Sequence, residues 1–183
     1  TIYVAEGTPI GAGTVKELLC LSDADNSHQL DTSVSVAVAA TAYDGLAVSV
    51  NGSDYAWTRK TDTDGAWVDT YGDDLFVSWF ALTVVNPFDR TVKLAFRHDD
   101  YIEAWMDGSS VFEKFEWDGG SESISNGISI SKGEHYFVFK FTELGNANRF
   151  SVAFKDTQEN DITTLFASFE GSLPENAVQI TAP

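Results

Sequence analysis

Apolar and polar residues alternate along most of this chain, which is a pattern typical of strands. A period of two places one face of a strand against a core and the other face towards solvent. Glycine, asparagine and proline residues separate the runs and indicate turns. The predicted strands are SVSVAVAATAY (33–43), LAVSV (46–50), LFVSWFALTVV (75–85), TVKLAFR (91–97), YIEAWM (101–106), GISIS (127–131), HYFVFKF (135–141), RFSVAFKD (149–156) and ITTLFASFE (162–170).

Helical periodicity is almost absent, and the one candidate, GTVKELLCL at 13–21, fits a strand equally well. Many short strands with closely spaced turns predict an all-β fold, an antiparallel β-sandwich or jelly roll. We expect one sandwich domain over 1–171, with a final strand and C-terminal linker over 172–183. The alternation predicts that the following side chains point into the core: Phe96, Ile102, Met106, Val138, Phe150, Val152 and Phe154.

Composition narrows the classes of partner. The 183 residues carry a net charge of −17, which repels phosphate backbones and anionic lipids, so neither a nucleic acid nor a membrane is a predicted partner. Cys20 is the only cysteine, and its apolar neighbours predict a buried thiol. Position 1 is not methionine, which indicates a mature form or a part of a longer chain.

The sequence lacks the common catalytic signatures. G-x-S-x-G, H-E-x-x-H and C-x-x-C are absent, and His28, His98 and His135 do not have the spacing of metal ligands. His98 adjoins two aspartates and could pair with them, although a surface histidine is the ordinary case. We therefore predict that the domain is not an enzyme. The alternative, a small jelly-roll glycosidase, requires two carboxylates about 5–9 Å apart in a cleft.

Asp99 and Asp100 stand side by side between two predicted strands. Adjacent carboxylates repel each other unless a cation or hydrogen-bond donors lie close to them. Calcium takes six to eight oxygen ligands and prefers carboxylates, so the two residues are candidate metal ligands. In the alternative interpretation, both carboxylates cap backbone N–H groups where the strand begins.

Tryptophan supplies the candidate sugar-binding residues. Flat aromatic side chains stack on the apolar faces of sugar rings, while polar neighbours recognise the hydroxyl groups. Trp57, Trp67 and Trp117 lie in polar, turn-rich stretches, and Tyr101 and Trp105 have the outward parity of their strand. We predict that these five side chains bind the ligand. The alternative for each tryptophan is packing at the edge of the core.

The order of features from 65 to 160 resembles PA14-type β-sandwiches and related accessory domains of large bacterial glycan-degrading enzymes. The resemblance rests on DGAWVD, on WFALTVVNPFDRTVKLAFRHDDYIEAWMDGSSVF and on SISKGEHYFVFKFTELGNANRFSVAFKD. The positions that match the shared pattern are Asp99-Asp100, Trp105, Asp107-Gly108, Lys132-Gly133 and Phe150.

The resemblance implies a function. In PA14-type lectins the paired aspartates bind Ca²⁺, which holds sugar hydroxyls, so the resemblance implies Ca²⁺ as cofactor and an Asn or Asp on another loop as a further ligand. The resemblance does not place that residue, and Asn126, Asn146 and Asn148 are candidates by composition only. We expect a secreted or cell-surface, non-catalytic carbohydrate-binding module that binds a plant or microbial polysaccharide or oligosaccharide. Its other partners would be catalytic or scaffold domains of the same parent chain. Besides the carbohydrate-binding module and the glycosidase, a third possible function is a structural spacer that binds no sugar.

Overall fold

The computed structural model describes residues 8–22, 34, 36–50, 52–61, 76–145 and 149–169. These residues form short strands and one four-residue helix, and every strand pair among them is antiparallel. The predicted all-β fold is confirmed. The elements are β1 (Thr8–Pro9), β2 (Glu17–Ser22), α1 (Val36–Ala39), β3 (Ala47–Val50), β4 (Ser53–Ala56), β5 (Thr58–Thr61), β6 (Phe76–Asn86), β7 (Arg90–Asp99), β8 (Tyr101–Met106), β9 (Ser109–Lys114), β10 (Ser123–Ile124), β11 (Ile128–Ile130), β12 (Gly133–Glu143), β13 (Arg149–Lys155) and β14 (Phe166–Ser168).

Two sheets form the sandwich. The larger sheet has the order β1-β14-β6-β12-β8-β9, and β2 joins it by pairing with β6 and β5. In the smaller sheet β7 pairs with β13 along one side and with β10 and β11 along the other. The strands β3 and β4 form a separate hairpin. The chain passes from the smaller to the larger sheet between β7 and β8.

The inner core lies between the two sheets and is rich in phenylalanine. The rings of Phe80 and Phe150 stack with their centroids 4.4 Å apart, and Phe96 meets Phe139 edge to face at 5.8 Å. The two sheets therefore interlock through aromatic contacts as well as through aliphatic packing. Of the side chains predicted to point inward, this core buries Phe96, Ile102, Phe150, Val152 and Phe154, and the half-buried Met106 packs against it.

A second apolar cluster, the outer cluster, covers the opposite face of the larger sheet. It contains Trp57, Trp79 and Val138, and α1 and the β3–β4 hairpin pack on it. Val138 is buried as predicted, but it lies in this cluster and not with its neighbours Phe137 and Phe139. The reason is that β12 is buried on both faces, so burial along this strand does not report which face a residue occupies.

The structure corrects the strand predicted at 33–43, because Val36–Ala39 forms α1. In a helix, Val36, Ala39 and Ala40 share one face, and that face packs on the outer cluster. This contact overcomes the strand preference of valine. Cys20 is buried, as predicted, and the 13–21 candidate contains a strand.

Other boundaries differ from the prediction. Only Phe166–Ser168 of the predicted 162–170 strand pairs in the sheet, and β4, β5 and β9 were not predicted because their residues are mostly polar. The predicted segment 172–183 lies outside the described residues, so the proposed domain boundary stays a prediction. No helix in the described parts of the chain is long and apolar enough to cross a membrane.

Candidate functional site

The two adjacent aspartates form the corner at which the chain changes sheets. Asp99 ends β7, Asp100 follows through a cis peptide bond, and Tyr101 begins β8. Both carboxylates are partly exposed. The backbone N–H of Leu144 donates to Asp100 Oδ2 at 2.8 Å, which joins the end of β12 to the same corner. We call Asp99 and Asp100 the aspartate pair.

The aspartate pair is electrostatically unfavourable in the protein alone. Burial raises the pKa of Asp99 above its ordinary value, and the charge and hydrogen bond of Asp100, together with the charge of Asp118, raise it further. The two adjacent carboxylates thus interact electrostatically in the folded protein. Hard carboxylate oxygens brought together in this way suit a divalent cation such as Ca²⁺.

The rest of a metal coordination shell is not formed by acidic, histidine or cysteine side chains of the described residues. In the part of the chain that the structure describes, no group of three or more such side chains could hold a metal ion. Of the candidate asparagine ligands, Asn126 is exposed on the loop before β11, while Asn146 and Asn148 lie outside the described residues. Any further ligand oxygens would come from asparagine, main-chain, water or sugar groups.

His98 is buried directly behind the aspartate pair, with 0% of its surface exposed. The expectation of a surface histidine is therefore wrong. Its Nδ1 lies 2.6 Å from the backbone oxygen of Asp100, and its Nε2 lies 2.8 Å from Ser123 Oγ. Burial lowers the pKa of His98, because it disfavours the charged ring more than the Asp100 carbonyl and the Asp118 charge favour it. The sequence offers no local signal for this burial beyond the inward parity of β7.

Asp118 holds the loop that follows β9 against the smaller sheet. Its Oδ2 accepts hydrogen bonds from Arg97 Nε at 2.6 Å and from the backbone N–H of His98 at 3.2 Å, and its Oδ1 accepts from Gly120 N–H at 2.6 Å. Burial by itself raises the pKa of Asp118, but the hydrogen bonds from Arg97, Gly120 and His98 outweigh it and lower that pKa. The loop is thus fixed by a buried, charged hydrogen-bond centre.

Three aromatic residues lie on the segments that meet at this corner: Tyr101 directly follows the aspartate pair, and Phe115 and Trp117 precede Asp118 in the loop after β9. Trp117 is 55% exposed and Phe115 is 56% exposed, and Phe115 meets Tyr101 edge to face at a centroid distance of 5.8 Å. Sequence reasoning selected Tyr101 and Trp117 but missed Phe115, which stands two positions before Trp117 in the same exposed stretch. We call Tyr101, Phe115 and Trp117 the corner aromatic group.

The other predicted sugar-binding side chains do not join this group. Trp57 is 0% exposed in the outer cluster, so the prediction that it stacks on a ligand is wrong for a fully covered indole. Trp105 has the outward parity that was predicted, but it is half-buried and stacks on Trp79 at a centroid distance of 5.9 Å. Trp67 lies outside the described residues.

Neither a protein-family model nor a curated protein matches this sequence. Among solved structures, the chain is similar to a PA14 sugar-binding domain from an RTX adhesin, with a TM-score of 0.50 and 11% sequence identity, over 86% of this chain and 98% of that one. The fold is PA14-like. An anti-sigma factor domain-containing protein is also similar, with a TM-score of 0.54 and 12% identity over 90% of this chain, which spans 51% of that protein's chain.

The PA14-like fold confirms the resemblance that the pattern over 65–160 predicts. In this PA14-like sandwich, the end of β7 and the loop after β9 come together, because Asp118 N–H donates to the backbone oxygen of His98 at 3.2 Å. The aspartate pair and the corner aromatic group therefore lie at the same end of the molecule. This end carries both carboxylate oxygens and exposed aromatic side chains.

Proposed function

We propose that this domain is a non-catalytic carbohydrate-binding module that binds a polysaccharide or oligosaccharide at the corner between β7 and β8. One observation carries the proposal: Tyr101, directly after the aspartate pair, contacts the exposed Phe115, and Asp118 ties the loop that carries Phe115 and Trp117 to His98. Hydroxyl recognition and stacking on a sugar face require these two kinds of group together. The PA14-like fold, shared with a sugar-binding domain of an adhesin, supports the same function.

Stacking is the first half of the mechanism. Phe115 and Trp117 expose more than half of their surfaces, which leaves flat apolar rings that a sugar face can cover. A sugar that covers them removes apolar surface from water at little entropic cost, because Asp118 already holds the loop. Leu144, which is exposed and donates its backbone N–H to Asp100, adds a further apolar side chain near the aspartate pair.

Calcium binding is the second half of the proposed mechanism. The aspartate pair would hold Ca²⁺, whose positive charge would favour the ionised form of Asp99 against the burial and the neighbouring negative charges that raise its pKa. Partial exposure of both carboxylates leaves coordination positions on the solvent side for sugar hydroxyls. The net charge of −17 adds a field that attracts a divalent cation.

A location and partners follow from this function. We propose that the protein is secreted or held at a cell surface, where glycans and free Ca²⁺ occur, and that it serves catalytic or scaffold domains of its parent chain. Its likeness to a domain of an adhesin supports this location. The likeness to a PA14 sugar-binding domain supports binding without catalysis.

A structural spacer remains the second candidate because of the same exposed aromatic residues. A neighbouring domain that packs on Phe115 and Trp117 would bury them as effectively as a sugar does. The two functions differ in their dependence on calcium and on free glycan, so one experiment separates them.

The test is a glycan array, followed by affinity gel electrophoresis on the glycans that bind, with Ca²⁺ and with EDTA. We expect binding that Ca²⁺ supports and EDTA removes, and no released sugar. Asp99→Asn with Asp100→Asn should abolish that binding. The control, Asp54→Asn with Glu134→Gln, removes the same charge from two exposed positions elsewhere and should bind normally. Binding that is equal in EDTA would contradict the calcium site, and no binding to any glycan would favour the spacer.

A further inference from the structure

His98 occupies a position that the sandwich core does not require. It points inward from β7, where an apolar side chain would fill the space, yet it is a fully buried polar ring. A buried polar group is costly unless its hydrogen bonds are made, so the partners of the ring explain its presence. Those partners are the backbone oxygen of Asp100 and the hydroxyl of Ser123.

The hydrogen bonds of the ring have one consistent direction. The backbone oxygen of Asp100 can only accept, so Nδ1 carries the proton and donates to it at 2.6 Å. In the neutral ring Nε2 is then an acceptor, and the hydroxyl of Ser123 donates to it at 2.8 Å. Lys114 Nζ donates to Ser123 Oγ at 3.1 Å. The chain of donors thus runs from Lys114 through Ser123 and His98 to the carbonyl of Asp100.

The backbone of His98 forms hydrogen bonds with Asp118 in the loop after β9. The N–H of His98 donates to Asp118 Oδ2 at 3.2 Å, and its carbonyl accepts from the N–H of Asp118 at the same distance. Asp118 directly follows Trp117. His98 therefore contacts Asp100 through its ring and the loop that carries Trp117 through its backbone.

We propose that His98 is a positioning residue that fixes the aspartate pair relative to the corner aromatic group, so that both act on one ligand. This inference rests on the proposed function, since it assigns His98 a part in the site through Asp100 and Asp118. Groups that orient metal ligands by hydrogen bonding typically change metal affinity about 10–100-fold when they are replaced. A residue that only fills the core would lower stability without this selective effect.

Two substitutions separate the two roles. His98→Asn keeps a donor at the position of Nδ1 and loses the acceptor at the position of Nε2, whereas His98→Gln keeps a polar group at the ε position and loses the donor to Asp100. Both remove the ring, so both should lose similar stability in urea denaturation. By titration calorimetry with Ca²⁺, we expect His98→Gln to bind at least about tenfold more weakly than the unchanged protein. His98→Asn should bind with nearly unchanged affinity. Equal losses of affinity in the two variants would overturn the proposal.

A second measurement does not depend on calcium. The N–H of Leu144 binds the Asp100 carboxylate, and the N–H of Gly120 binds that of Asp118, so their hydrogen exchange, followed by NMR, reports whether the corner is held. We expect faster exchange of Leu144 in His98→Gln than in His98→Asn, while the N–H of Ile162, bonded to Phe154 far along the chain, serves as the reference. If the unchanged protein binds no Ca²⁺, the calcium part of the proposed function fails, and equal Leu144 exchange in the two variants would still overturn the role of His98.

Discussion

Trp57 and Trp117 stand in similar stretches of sequence and end in opposite environments. Each lies among charged and turn-forming residues, in SDYAWTRK and EKFEWDGG. The indole of Trp57 is 0% exposed, whereas that of Trp117 is 55% exposed. The comparison teaches that local polarity does not decide burial, because burial depends on which other part of the chain covers the residue.

The cause lies in the strands on either side. Trp57 connects β4 to β5, and its backbone N–H donates to Leu46 at 2.9 Å while its carbonyl accepts from Gly45 at 2.8 Å. These bonds bring the β3–β4 hairpin and the larger sheet together around the indole, which packs with Val77 and Trp79. Trp117 instead follows β9, which ends the strand order of the larger sheet. Polar bonds of Asp118 hold its loop and leave the indole at the surface.

The largest expected effect tests the buried side of this comparison. Trp57→Ala should lower the free energy of unfolding by about 3–5 kcal/mol, because it leaves a large cavity in the outer cluster. The matched substitution Trp117→Ala should change it by less than about 0.5 kcal/mol, since an exposed side chain leaves no cavity. Urea denaturation of both variants checks the difference, and similar midpoints would contradict the two environments.

The second effect concerns how the Trp117 loop is held. Asp118→Asn removes the charge that accepts from Arg97 and His98, and it should cost about 1.5–3 kcal/mol at neutral pH. Because the pKa of Asp118 is lowered in the folded protein, its contribution is present above the ordinary value of 3.8 and is lost as the pH falls through the lower folded pKa. Unfolding free energies measured against pH should therefore converge for the two proteins in acid. A constant difference would show that charge is not the cause.

A smaller effect of opposite sign is expected at the aspartate pair. The pKa of Asp99 is raised in the folded protein, so its ionised form destabilises the fold above that pKa, and the penalty disappears below the ordinary value of 3.8. Asp99→Asn should thus raise the melting temperature at neutral pH in EDTA, and the gain should fade in acid. With Ca²⁺ present the order should reverse, because only the unchanged protein binds the ion. A variant that melts lower in EDTA would show that Asp99 is instead a stabilising cap.

Substitution of Trp117 is expected to change the stability of the fold least and the binding of glycan most. Trp117→Ala should abolish retention in an affinity gel containing a glycan that the domain binds, while Trp117→Phe should retain part of it, because a smaller ring still stacks. Trp105→Phe, in a half-buried position, is the matched control and should bind normally. Unchanged retention of Trp117→Ala would remove the corner aromatic group from the ligand site.

The fold was predictable where burial is one-sided. On β7, Val92, Leu94 and Phe96 share one face and are buried as expected, and the only buried residue of the other face is the small Ala95. On β12 the sequence predicts a strand but does not predict which core each side chain enters. Phe137, Val138 and Phe139 are all buried, but Val138 lies in the outer cluster and the two phenylalanines lie in the inner core. A strand that is covered on both faces carries no local mark of which face belongs to which core.

The sequence by itself determined the all-β class, because alternating apolar and polar residues recur along most of the chain. In the candidate site it determined the adjacency of Asp99 and Asp100 and the outward parity of Tyr101, because both depend only on neighbouring positions. Only the tertiary structure decided that Trp57 is covered, that Val36–Ala39 is helical, and that His98 is buried between Asp100 and Ser123. The physical reason is that these outcomes depend on contacts between distant segments. His98 and Asp118 are 20 positions apart in the chain, yet their mutual hydrogen bonds join the loop that carries Trp117 to the end of β7.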